Sequence, residues 1–135
     1  MKNSKKTADA IHILLYIETN KNSPRITSED IAEDLNVNAS YVRQILSKLR
    51  KAKIIGGEST TKLSRKPIEI SFYEIYKAVE NNRQLFAINK NINFDSSNAI
   101  KIQQAISEYY NILQKSVEKN MKSITLAHIQ ERTKK

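Results

Sequence analysis

Between Thr27 and Lys51 two short amphipathic segments stand three residues apart, and that spacing limits the fold more than any other feature of the chain. Thr27-Ser28-Glu29-Asp30 opens the first with a hydroxyl cap and then acids, the chemistry of a helix N-terminus. The helix predicted from there runs from about Ser28 to Leu35 and buries Ile31, Ala32 and Leu35. Asn36-Val37-Asn38 is a tight connection, with Asn38 placed to cap the second segment, which reads NASYVRQILSKLRK to Lys51. At 100° per residue, Val42, Ile45, Leu46 and Leu49 fall in one narrow arc. Ser40, Gln44, Ser47 and Lys51 centre on the opposite side, with Arg43 and Lys48 flanking. Two short helices joined in this way form a helix-turn-helix.

The outward side of the second helix has an unusual chemistry. It carries Ser, Arg, Gln and Lys and no Asp or Glu. A solvated helix normally mixes signs, because acid–base pairs three or four residues apart support it and like charges weaken it. In a helix-turn-helix the second helix lies in the DNA major groove with its N-terminal residues at base edges. Acids there would face phosphates, whereas Ser, Gln and Arg hydrogen-bond base edges, Arg to guanine above all. The surrounding charge agrees. From Arg43 to Lys66 eight basic residues are opposed by one acid, Glu58, within a chain of net charge +9. A concentrated basic patch is the footprint expected of a polyanion-binding surface.

The chain has 135 residues, enough for one domain or a small domain with an appended element. Two Gly and two Pro are few for a hairpin-rich protein and point to a mostly α fold. With no cysteine, disulfides, thiolate metal sites and cysteine-ligated clusters are excluded. No apolar run approaches the ~20 residues of a membrane span. The opening MKNSKKTADA lacks the apolar stretch of a signal peptide, so a cytoplasmic location is expected.

Around the central motif, Ala8, Ile11, Leu14, Leu15 and Ile17 predict a first helix from about Thr7 to Glu18, followed by the loop NKNSPR. After Lys53, the residues to Ser71 read as two short strands around a polar tip, a β-wing in which Thr60, Thr61, Lys62, Arg65 and Lys66 reach phosphates or the minor groove. Ser71 caps a fourth helix through Ile75 and Val79. Residues 82–95 form an Asn-rich connector between a domain spanning 1–81 and a C-terminal segment, 96–135. In that segment Asp95-Ser96-Ser97 starts a long helix. Ile102, Ile106, Tyr109, Leu113 and Val117 recur along it at three- and four-residue steps, with Met121 continuing the stripe. A helix of ~25 residues is ~37 Å long, more than the small first domain can cover, and the same helix of a second chain is the simplest partner. Ser123 to Ile129 is a short apolar element expected to pack on that helix pair, with Glu131 to Lys135 frayed.

The segments Thr27 to Ala32, Tyr41 to Ala52, Leu63-Ser64-Arg65-Lys66-Pro67, Ile75 to Glu80 and Ser123 to Ala127 together resemble the winged-helix transcriptional regulators typified by IscR, NsrR and CymR. The resemblance covers most of the chain and is weakest at 82–98. It implies a mostly α homodimer, two winged helix-turn-helix heads joined by crossed long helices, that binds near-palindromic operators and represses transcription. Carried over by position, Ser40, Tyr41, Arg43, Gln44 and Lys48 lie on the recognition helix, Thr27 and Ser28 near phosphates, and Thr60 to Lys62 in the wing. Two departures stand out. Many members hold an iron–sulfur cluster through cysteines just before the long helix, and this chain has none, so no cofactor is expected. The family's wing ends in a Gly-Gly pair where this shorter wing carries Thr60-Thr61.

The expected partners are therefore double-stranded DNA and a second copy, with no membrane and an effector the sequence does not name. A winged-helix module regulating a metabolic enzyme, with weak or lost DNA binding, is the alternative. An enzyme is the poorest reading: His12 and His128 have no Ser or carboxylate at a motif spacing, and no Gly-rich phosphate loop is present.

Overall fold

The computed structural model describes residues 4–57, 61–81 and 84–134. Its helices are α1 (Lys6–Thr19), α2 (Ser28–Leu35), α3 (Ala39–Lys51), α4 (Phe72–Glu80), α5 (Ser97–Ser123) and α6 (Leu126–Thr133). A mostly α winged-helix architecture is what the sequence predicted, and each helix that frames the motif starts on the expected residue type. Thr27 accepts from the Asp30 N–H while the Asp30 carboxylate accepts from the Thr27 N–H, a reciprocal cap at 3.1 Å each way. Asn38 caps α3 by accepting from the Tyr41 N–H at 2.8 Å. Ser71 and Glu74 repeat the reciprocal cap on α4, and Ser96 caps α5.

Both helices of the motif close without glycine. Asn36, at φ 57°, ends α2 with its N–H on Glu33 O and the Val37 N–H on Ala32 O. Lys53, at φ 61°, ends α3 in the same manner, with Ile54 N–H on Leu49 O at 3.0 Å. Each pair of bonds satisfies carbonyls that a helix end leaves open. Asn tolerates the left-handed region better than Lys, so the second closure carries the greater conformational cost.

The core is a single apolar cluster. Ala10, Ile13, Leu14 and Ile17 of α1 meet Ile31 of α2, Val42, Ile45, Leu46 and Leu49 of α3, and Ile75 and Val79 of α4. Ile54, Ile55 and Ile70 from the wing segment complete it.

The wing is smaller than expected. Among the described residues its strand pairing is one antiparallel bridge, Ile55 with Leu63, supported by the Gly56 N–H on Lys62 O at 2.8 Å. The tip, residues 58–60, lies outside the described residues, and with it Thr60. Where extended backbone was expected at Ile68 to Ile70, Pro67–Glu69 form a 3-10 turn closed by the Ile70 N–H on Pro67 O. Proline fixes φ near the helical value and so starts a turn there.

The C-terminal element also departs from expectation. It returns to the head of its own chain, a contact the sequence did not predict. Ser71 bridges Thr125, the Phe72 N–H binds Ile124 O at 2.7 Å, and the Leu126 N–H binds Ile70 O at 2.8 Å. Leu126 is wholly buried in the same cluster as α1 and α3. This anchorage lets α6 continue to Thr133, past the Glu131 at which fraying was expected. Met121, also buried, leaves the predicted α5 stripe and joins the head side.

Candidate nucleic-acid interface

The fold divides the predicted α3 residues into two groups. Ser40, Arg43, Gln44, Ser47 and Lys51 are all exposed and, with Arg43 and Gln44 side by side, recur at helical spacing, so they form a single stripe of donors opposite the buried arc. Tyr41 and Lys48 fall off that stripe. The Tyr41 hydroxyl donates to Asp9 of α1 at 2.7 Å, and the half-buried phenol is pushed well above its ordinary range by desolvation first and then by Asp9. The Lys48 Nζ lies 3.5 Å from Val79 O, and burial, with Lys6 beside it, lowers its pKa. Both side chains leave α3 on the flank that packs against α1 and α4, and they tie the helix to the head instead of offering it to a ligand. Alongside them Thr7 of α1 donates to the buried Glu80 of α4 at 2.8 Å.

Thr27 and Ser28 are half-buried at the start of α2 and line a polar recess with Lys21, Arg25, Thr61 and Lys62. The recess joins the α1–α2 loop, the α2 N-terminus and the base of the wing. Its three cations, against the single carboxylate of Glu29 in the same lining, and the partial positive charge of a helix start suit a phosphate group. Lys21 and Arg25 belong to the predicted loop NKNSPR, to which the sequence assigns no binding role. Their role needs the wing brought beside them, which no local pattern shows.

Part of the basic patch is committed within the protein. Arg65, expected to reach phosphates, instead grips the Glu74 carboxylate with both terminal nitrogens, at 3.3 and 2.7 Å, and donates to Glu69 O at 3.0 Å. That guanidinium, followed by bonds from Ser71, holds the Glu74 carboxyl below its ordinary pKa. Arg50 donates to Gly56 O at 3.3 Å. Lys51, Lys53, Lys62 and Lys66 remain exposed. One acid does enter the α3 face from outside it: Glu29 Oε1 accepts from Arg43 Nη2 at 2.7 Å. The helix itself is acid-free, but the assembled face is not.

The architecture has close parallels among known proteins. Residues 3–132 match the family described as Rrf2, iron-dependent transcriptional regulator. The chain belongs to the Rrf2 family. It is 34% identical over 127 residues to YwnA of Bacillus subtilis (strain 168), named provisionally as an HTH-type transcriptional regulator, covering 92% of this chain and 93% of that one. The fold is shared with CymR (YrzC), the global cysteine regulator of B. subtilis, at 18% identity and TM-score 0.69 over 97% of each chain. It is shared also with T. potens IscR, at 20% identity and TM-score 0.67, over 98% of this chain and 88% of that one. Membership in the Rrf2 family makes this chain a DNA-binding transcriptional regulator.

The iron in the family's description does not fit this member's donor set. Thiolate ligation is impossible without cysteine, and among the described residues no group of three or more His, Asp or Glu is placed to hold a metal. In the connector this Rrf2 protein has no cysteine, and Phe86 packs on Tyr110 of α5 with ring centroids 5.2 Å apart. Among the described residues no helix is long and apolar enough to cross a membrane.

The residues expected to pair two chains lie along α5. Ile102, Ile106, Tyr109 and Leu113 are exposed, by 53%, 39%, 67% and 46%, while Val117 is half-buried where the helix meets the head. Ile112, outside the predicted stripe, is exposed as well. The adjoining side of α5 is held by the buried Gln114, which donates to the Tyr76 hydroxyl at 3.1 Å and to Glu118 at 2.8 Å and accepts from the Leu85 N–H at 2.9 Å.

Proposed function

We propose that this Rrf2 protein is a homodimeric, sequence-specific repressor that binds a near-palindromic operator and works without a cysteine-ligated cluster. The observation that carries the reading is the exposed donor stripe Ser40, Arg43, Gln44, Ser47 and Lys51 on the second helix of the motif. In this arrangement α3 enters the major groove, where Arg43 reads guanine and Gln44 reads adenine. Thr27, Ser28, Thr61 and Lys62 receive the flanking phosphates, which set register without carrying sequence information. The α5 stripe of Ile102, Ile106, Tyr109, Leu113 and Val117 pairs with its copy and sets the two heads apart. Half-sites then repeat at about 10 bp or a multiple of it. Repression follows from occupancy of an operator that overlaps a promoter.

Fluorescence polarisation against duplexes from the upstream region of its own gene, with light scattering of the free protein, tests the proposal. Arg43→Ala is expected to relax base preference, while Lys62→Ala lowers affinity alike on every sequence. Affinity should fall ~10³-fold or more between 50 and 200 mM salt if ~6 phosphates are contacted. A monomer indifferent to duplexes in dilute buffer overturns the reading.

A further inference from the structure

We infer that Glu29 is a specificity-determining residue, whose carboxylate fixes the Arg43 guanidinium in the orientation that reads a base. The inference rests on the DNA-binding reading above and deepens it. The contact joins residues 14 positions apart in sequence, from the first turn of α2 to the first turns of α3. Glu29 Oε1 and Arg43 Nη2 are 2.7 Å apart, and both side chains are more than half exposed. The pair therefore lies in the stripe itself and not beneath it.

A carboxylate on a face that meets phosphates weakens binding to every sequence alike, because it repels them. Its local contribution is order. A free arginine side chain samples many rotamers, and much of that freedom is lost when it docks on a base edge. An arginine already pinned has lost that freedom before DNA arrives. The geometry leaves its reading capacity whole. A guanidinium presents two donor forks, one formed by Nε and one terminal nitrogen, the other by both terminal nitrogens. Glu29 engages one nitrogen only, Nη2, so one proton of that nitrogen is used. Whichever proton it is, one complete fork remains for the guanine O6 and N7 pair. Two further features keep Glu29 in place and charged. Its own backbone N–H and then the Arg43 guanidinium hold the carboxyl below its ordinary pKa. It also lines the recess with Lys21, Arg25 and Lys62, so cations surround it on the phosphate side as well.

The opposite role, a carboxylate that masks Arg43 until DNA displaces it, makes the reverse prediction. In vitro selection from a randomised duplex library, followed by competition binding on the winning duplex and on versions with its guanines replaced, separates the two. E29A is expected to lower guanine preference about fivefold or more, within the range of one bidentate base contact. E29Q keeps most of the preference, because its amide oxygen accepts the same bond, and binds all duplexes more tightly for the lost negative charge. R43A loses the preference, and E29A/R43A matches R43A. Unchanged thermal unfolding of each exposed-site variant accompanies these results. The inference is overturned if E29A keeps its preference within twofold, sharpens it, or changes it equally in the R43A background. A wild-type chain that enriches nothing from the library defeats the DNA-binding reading and this inference together. A wild type that selects a site which E29A still reads defeats the inference alone.

Discussion

Helices α3 and α5 carry the same kind of pattern and meet opposite fates. Each repeats apolar residues at three- and four-residue steps. In α3 the repeat of Val42, Ile45, Leu46 and Leu49 is buried by the head, and the polar side is what remains for a ligand. In α5 the head takes the side with Gln114 and Met121, and Ile102, Ile106, Tyr109 and Leu113 face outward. A periodic stripe therefore specifies that a helix will be covered, not by what. The thirteen residues of α3 fit within one small core, whereas the twenty-seven of α5 overrun it.

That contrast can be broken most directly by mutation. Leu49→Ala should cost about 2–5 kcal/mol in urea unfolding, as expected for a wholly buried leucine. Ile106→Glu should leave the head's unfolding in dilute solution near wild type, yet halve the mass seen by light scattering. If Ile106→Glu unfolds the chain as severely as Leu49→Ala at every protein concentration, the α5 stripe is covered within its own chain and the contrast fails. A paired α5 also makes the wild-type Tm rise with protein concentration, and the Ile106→Glu variant should lose that dependence.

Smaller effects sharpen the description of the head. Arg65 holds the Glu74 carboxyl below its ordinary pKa, so the folded state binds that proton less readily than the unfolded chain. The stabilisation is present above the unfolded value and is lost as pH falls through the folded one. Stability measured from about pH 5 downward should drop, and Glu74→Gln should flatten part of that slope. The smallest change concerns the end of α3. Lys53→Gly relieves a left-handed lysine and should raise stability by up to about 1 kcal/mol, read as a higher urea midpoint. The corresponding Asn36→Gly should gain less.

What the sequence reveals and conceals follows from range. The caps of Thr27, Asn38, Ser71 and Ser96 act across three residues, and each was readable locally. So was the donor stripe of α3. Tyr41 and Lys48 look like DNA contacts from the helical pattern alone, which contains α3 but not its flanking neighbours, α1 and α4. Arg65 reads as a free cation because its partner Glu74 lies across the 3-10 turn. Glu29 reads as a helix-start acid, which it also is. Its contact with Arg43 depends on the angle between α2 and α3, and no spacing rule contains that angle.

The return of Leu126 to the interior has a practical corollary. The head is assembled from two stretches of chain, with the last helix acting as its closing plug. A fragment cut after residue 81 lacks that plug and leaves the Ile70 carbonyl and its apolar surroundings open to water. The smallest unit able to keep α3 in shape thus includes the far end of the polypeptide, and a loop replacing the long arm would preserve it where simple truncation would not.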